Sequence, residues 1–282
     1  MIKADRYYLE NLQEIYYRGI LDRNPRPKYA DGTPAHSKFI TQVVESYDLS
    51  KGEFPITTLR NTAIKTGIKE ILWIYQKQSS SLKDAHALGI KWWDSWDIGD
   101  GTIGQRYGAT VKRYDLMNKL LNGLKNDPFS RRHIIDLYQE QDLQETKGLY
   151  PCAFQTLWSV REVNGEMFLD CSLVLRSSDF IVANYINKSQ YSALQMMVAG
   201  HLTNETGKTW KPGKFLVLIQ NCHIYTRHFD AVEELLNRTP IDIQPKIILK
   251  ENKNFYDYTI DDFQVENTEL IEKLDFELEL AI

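Results

Sequence analysis

Cysteine is scarce in this chain. Three occur in 282 residues, Cys152, Cys171 and Cys222, widely spaced and without a C-x-x-C pair. An odd, scattered set argues against a disulfide framework and against a zinc site, and points to a reducing compartment. Long apolar runs are missing too: none approaches the ~18–20 residues that span a bilayer. No basic start followed by an apolar stretch and a small-residue cleavage site opens the chain. The expectation is a cytoplasmic protein with no membrane partner. There is no basic surplus, since 34 Lys and Arg face 38 Asp and Glu for a net charge of -4, which makes nucleic acid an improbable main partner. Neither G-x-G-x-x-G nor G-x-x-x-x-G-K-[ST] occurs, so a bound nucleotide would not be held by either loop. Internal repeats and low-complexity tracts are absent.

What is present is an ordinary globular balance, 43% hydrophobic and 26% charged, with enough length to bury a core without staples. Helical spacing is visible over 4–20, 59–78, 115–126, 191–202 and 229–238, and strand character over 39–49, 132–138, 154–162, 167–176, 214–225 and 245–249. Asn164-Gly165 marks a tight hairpin. Residues 22–37 read as an exposed loop, 90–108 as a tryptophan-rich stretch punctuated by glycine, and 252–263 as a polar, aromatic loop. The elements mix without a βαβ rhythm. The expectation is therefore α+β, one domain over 1–282, with a large mixed sheet packed with helices.

Several side chains carry chemistry, each with an ordinary alternative. Cys152, after Pro151 and at the mouth of a strand, is a possible thiolate nucleophile that nearby arginines would activate; the ordinary alternative is a small buried hydrophobe. Cys171 and Cys222, inside apolar strand patterns, read as core. Arg131-Arg132 and Arg176-Ser177 could grip a phosphate, or simply be a solvated turn and a loop start. Asn187 can read a base edge, or cap a helix. His223 and Tyr225 alternate along one strand and share a face. Glu70 sits on the apolar side of its helix near Trp73, costly unless paired or working.

Taken together, these residues form an ordered series: Glu70-Ile-Leu-Trp73, Trp93-Asp-Ser-Trp96, Gly104-x-x-Tyr107-Gly108, Arg131-Arg132, Pro151-Cys152, Arg176-Ser177-x-Asp179, Asn187, His223-x-Tyr225, Phe255-x-Asp-Tyr258 and the terminal Leu280-Ala281-Ile282. The series resembles the folate-dependent thymidylate synthase family that uses a catalytic cysteine, over essentially the whole chain. The resemblance implies reductive methylation of dUMP to dTMP. Cys152 would add to C6 of the uracil, and 5,10-methylenetetrahydrofolate would serve as co-substrate, donating both carbon and hydride. No metal is implied.

By the same resemblance, Arg176 and Ser177 would hold the phosphate on the same chain, with Arg26 as the candidate from the 22–37 loop. Arg131 and Arg132 would be donated across an obligate homodimer interface formed by a sheet face. Asn187 would bond uracil N3 and O4, His223 and Tyr225 the 3′-hydroxyl, and Asp179 the pterin ring. Glu70 would organise waters near O4, and Tyr107 would stand near C5. Trp93 and Trp96 would be folate-site aromatics, and Ala281 and Ile282 would belong to a closing C-terminus. The chain departs from many members at Val182-Ala183-Asn184-Tyr185-Ile186, at Ala153 after the cysteine and at Asn221 before the histidine. Two rivals stand beside this reading. A pyrimidine-nucleotide hydroxymethylase would admit water in place of hydride, and its cytosine-specific members carry an acidic residue where Asn187 stands. A nucleotide- or RNA-binding regulator would have kept the scaffold without the activity.

Overall fold

Alternation of apolar and polar residues dictates the sheet. In Glu166–Leu175 every second residue, from Met167 to Leu175, is buried, so one face packs a core while Phe168, Ser172 and Val174 occupy the other. In the computed structural model, which describes residues Met1–Ile282, nine strands form. They are β1 (Ile20–Leu21), β2 (Ser37–Asp48), β3 (Ile134–Asp136), β4 (Ala153–Val163), β5 (Glu166–Leu175), β6 (Ser178–Asp179), β7 (Trp210–Tyr225), β8 (Lys246–Leu249) and β9 (Phe263–Glu266). Seven build one mixed sheet in the order β1-β2-β7-β5-β4-β3, with β6 parallel to β7; β8 and β9 pair separately, a small second sheet that the sequence pattern did not suggest. The long β5·β7 pairing is parallel, whereas β2·β7 and β4·β5 are antiparallel.

Eight helices accompany the sheet: α1 (Lys3–Gln13), α2 (Ile64–Ile71), α3 (Leu82–Ala87), α4 (Gly108–Arg113), α5 (Leu116–Asn126), α6 (Glu140–Glu145), α7 (Asn184–Thr206) and α8 (Phe229–Asn237). Helix α7 is apolar or small nearly all round and is buried from Lys188 through Leu202, as a helix running through a core must be. The expected helix over 191–202 therefore begins a full two turns earlier. The segment 59–78 is helical only from Ile64, and it ends in a π-helical turn at Leu72–Gln76.

Two backbone features aim the strands at one end of the sheet. Asn164 and Gly165 both have positive φ, 53° and 80°, the two-residue turn their types predict. Counting down that hairpin, with one register shift between Ala153 and Gln155, sets Ala153 against Leu175 and brings Arg176 N–H to Cys152 C=O at 3.0 Å. On β7, Phe215, Val217 and Ile219 face the core, but the β2·β7 ladder is interrupted at Gln42, whose φ is 59°. Beyond that kink Cys222 and Ile224 take the core positions, and His223 and Tyr225 turn to the other side.

The opposite face of the sheet carries no helix over an apolar stripe. Val44, Leu218 and Val174 align in one row, and Leu216, Ser172, Leu157 and Ile134 in the next. Val44, Leu157 and Ile134 are 49%, 38% and 46% exposed, so apolar side chains of these rows meet solvent. No helix is long and apolar enough to cross a membrane.

Candidate active site

One cleft of about 1260 Å³ lies where the C-terminal ends of β5 and β7 meet the start of α7. The usual range for a small-molecule site is about 300–1,000 Å³, so this cleft has room for more than one ligand. Cys152 lines it, only partly buried and free. Cys171 and Cys222 are buried, 2% and 0% exposed, as their strand patterns implied.

The cysteine is held from three directions. Its N–H donates to the Tyr107 hydroxyl at 3.1 Å. Arg176 donates from Nε to Pro151 O at 2.9 Å and from Nη2 to Tyr150 O at 2.7 Å, and the same Nη2 lies 3.5 Å from Cys152 Sγ. The guanidinium is thus locked onto the cysteine loop, with its Nη1 donors uncommitted to any protein acceptor. Arg176 lowers the thiol's pKa in the direction the sequence suggested, but it is not the larger influence. Burial raises the Cys152 pKa, and Arg176 only pulls part of it back. Tyr107 is placed by an unusual backbone: its φ is 47°, an uncommon value for a bulky residue. Its neighbour Gly108 must be glycine, because a Cβ there would lie 2.2 Å from Ser79 O. Burial raises the Tyr107 hydroxyl well above its usual range, so it stays a phenol.

Glu70, on α2, is 6% exposed and also lines the cleft. Its partner is not Trp73, beside it in sequence, but Trp92, whose indole N–H donates to Glu70 Oε2. Burial pushes the carboxyl up to about 7, held back by the indoles of Trp93 and Trp92 and the amide of Gln190. A neutral form favoured in the fold stabilises it fully below pH 4.5, where the unfolded carboxyl is also protonated, and that stability is lost as pH rises towards 7. Glu70→Gln is expected to flatten the loss, which amounts to about 3 kcal/mol at 1.36 kcal/mol per pKa unit. Urea unfolding midpoints at pH 5 and pH 8 would measure it, and an unchanged slope would show that Glu70 is not the titrating group.

Asn187 lies within the first turn of α7 rather than ahead of the helix, and its Nδ2 donates to Gln190 Oε1 at 2.9 Å. Gln190 is buried, lines the cleft and stands one turn on, between Asn187 and Glu70. Neither Trp92 nor Gln190 stood out in the sequence; only the i,i+3 spacing of Gln190 from Asn187 on a continuous helix could have signalled it. His223 Nδ1 is 3.1 Å from Asn221 Oδ1, and burial lowers the ring's pKa, favouring the neutral imidazole. Its ring meets that of Tyr225 edge-on at 5.1 Å. Asp179 Oδ1 accepts the N–H groups of Ile181 and Val182, shaping the turn into α7 and leaving Oδ2 for the cleft. Trp93 packs against Trp96 and Tyr107 at 5.4 and 5.2 Å, and both tryptophans line the cleft.

Ser177, Arg26, Ala281 and Ile282 complete the lining. The terminal residue exchanges two backbone hydrogen bonds with Lys28, at 2.8 and 2.9 Å, beside Arg26. Arg131 and Arg132 are not brought to this cleft. They are exposed just before β3, at the edge of the open sheet face.

A cysteine, an arginine, a buried carboxyl and an amide side chain converge on one cleft large enough for small molecules, as in an enzyme site. The thymidylate synthase family model matches residues 6–280. A thymidylate synthase of Streptococcus pneumoniae is 49% identical over 269 residues, 94% of each chain, and one of Lactococcus lactis is 48% identical with full coverage of both. The solved structure of a thermostable thymidylate synthase A from Bacillus subtilis superposes with a TM-score of 0.86 at 34% identity, covering 99% of each chain. The chain belongs to the thymidylate synthase family and is an enzyme, a methyltransferase of nucleotide biosynthesis, for which membership implies dUMP and a folate as substrates.

Proposed function

We propose that this chain, in the cytoplasm, converts dUMP to dTMP through a covalent bond between Cys152 Sγ and C6 of the uracil, with 5,10-methylenetetrahydrofolate supplying the methylene carbon and the hydride. The observation that carries the reading is the pairing of Cys152 with Arg176 in the lining of a cleft of about 1260 Å³.

Addition of the thiolate to C6 pushes electrons onto C5 and O4, making C5 the nucleophile that takes up the methylene carbon. Departure of the C5 proton and of tetrahydrofolate leaves an exocyclic methylene. Hydride reduces it to methyl, the C5–C6 double bond reforms, and the thiolate leaves. The folate ends as dihydrofolate. Arg176, Ser177 and Arg26 hold the phosphate, and Arg176 also steadies the thiolate. Asn187 matches the uracil edge. Glu70, protonated up to about pH 7, supplies or orders the proton at O4. Tyr107, remaining a phenol, serves C5 deprotonation by ordering water rather than as a free phenolate. Trp93, Trp96 and Asp179 face the folate. Ala281 and Ile282 close the cleft and exclude water, which separates methylation from hydroxymethylation. Incubation with dUMP and methylenetetrahydrofolate tests the whole: dTMP and dihydrofolate should rise in equal amounts, and a hydroxymethyl product without dihydrofolate would overturn it.

The apolar rows on the open sheet face fit a second copy of the chain, which would bury Val44, Leu157, Leu216 and Leu218. Arg131 and Arg132 of the partner subunit would then complete the phosphate site. Mixing an inactive Cys152→Ala chain with an inactive Arg132→Ala chain should restore activity to about a quarter of the parent's, one intact site in each mixed dimer and half the dimers mixed. Subunit exchange without any recovery would disprove shared sites.

A further inference from the structure

Arg227 took no part in the sequence pattern, yet it joins the two segments that roof the cleft. It follows β7 two residues after Tyr225. Its Nη1 donates to Glu279 Oε2 at 2.6 Å, and its Nη2 to Asp31 Oδ2 at 2.7 Å and Thr33 Oγ1 at 2.6 Å. Glu279 belongs to the C-terminal tail, and Asp31 and Thr33 to the loop that carries Arg26. The guanidinium carbon lies 3.9 Å over the centre of the buried Tyr29 ring, which in turn meets the Tyr225 ring at 6.1 Å. On the same side His228 Nε2 is 3.1 Å from Glu279 O, and the Lys28–Ile282 backbone pair lies beyond. One side chain thus binds tail, loop and the aromatic stack behind Tyr225.

Resting on the proposed role of the Arg26 loop and the C-terminus, we propose that Arg227 is a positioning residue that clasps the two segments together before any ligand arrives, so that the folate meets a largely preformed roof.

The chemistry suits the role. A lone exposed ion pair contributes little, but here one planar cation serves two carboxylates and a hydroxyl and stacks on a ring, so ordering one arm orders the other. Asp31 is itself braced, because the Thr33 hydroxyl and N–H donate to it at 2.6 and 2.9 Å, and its carboxyl is held far below the usual range by Thr33 and Arg227. The roof's stability is therefore electrostatic and sensitive to salt, and preorganisation of this kind lowers the ordering cost of binding.

The test has one readout that needs no turnover. In ligand-free protein, release of Ile282 by carboxypeptidase should quicken in Arg227→Gln and in Glu279→Gln by about tenfold, the loss of one charge-assisted contact. The parent in about 1 M salt, where the Debye length is ~3 Å, should shift the same way. Arg227→Lys, which keeps charge but loses the fork, should fall between. In the active enzyme the KM for methylenetetrahydrofolate should rise by a similar factor in Arg227→Gln while kcat changes less. Equal release rates in parent and both neutral variants would overturn the clasp. Faster release with an unchanged KM would overturn its positioning role. Loss of dTMP formation in the parent itself would strike the functional reading and leave the release assay to judge the clasp.

Discussion

Cys152→Ala is expected to lower dTMP formation by at least about 10⁴-fold, the scale seen when a covalent nucleophile is removed. No other group can take over. Cys171 and Cys222 are buried in β5 and β7, and Tyr107 is a phenol well above neutrality. Binding of dUMP should survive, because Arg176 is anchored mainly by the carbonyls of Pro151 and Tyr150 and not by the sulfur. Calorimetry would check the binding, and dihydrofolate absorbance the turnover. The parent should form a stable adduct at Cys152 with 5-fluoro-dUMP and methylenetetrahydrofolate, since fluorine cannot leave C5 as a proton does. Turnover retained by the alanine variant would dispose of the covalent route. Burial raises the thiol's pKa and the Arg176 guanidinium offsets part of that rise, so Arg176 is the neighbour that favours the nucleophilic thiolate.

Asn187→Asp is expected to shift the dCMP-to-dUMP ratio of kcat/KM by about 10²-fold or more, because a buried base edge facing the wrong partner costs about 1–3 kcal/mol per mismatched bond. Asn187 spends one N–H on Gln190 Oε1, leaving its second N–H and its oxygen for the ligand. In the proposed complex that arrangement would donate to O4 and accept from N3–H of uracil, and cytosine presents the reverse. The Asn187→Asp carboxyl would set an acceptor against Gln190 Oε1, so the glutamine must turn over or the carboxyl take up a proton. Either outcome favours a donor-bearing ring. Competition kinetics with both nucleotides would measure the shift, and an unchanged preference would remove Asn187 from base recognition.

Taken singly, the residues of the candidate site had ordinary alternatives, and the set was legible through its resemblance, in order along the chain, to the thymidylate synthase family. His223 and Tyr225 share a face by strand alternation, and Arg176 ends a strand whose hairpin partner begins after Cys152. What escaped were contacts between distant elements. Trp92, not Trp73, answers Glu70, since the chain folds back between them. Gln190 became visible only when α7 proved to start at Asn184. The break at Gln42, which turns His223 and Tyr225 away from the core, has no local signal, because glutamine has no preference for positive φ.

The sequence by itself determined the longer strands, the hairpin, the three free cysteines and the reactive residue types, because period, turn chemistry and composition act over a few neighbouring residues. Tertiary structure alone decided that Arg176 meets the thiol at 3.5 Å, that burial lifts Glu70 to about 7, and that Arg227 ties the tail to the loop. Those outcomes depend on distance and exclusion of water, and both are set only when segments far apart in the chain come together.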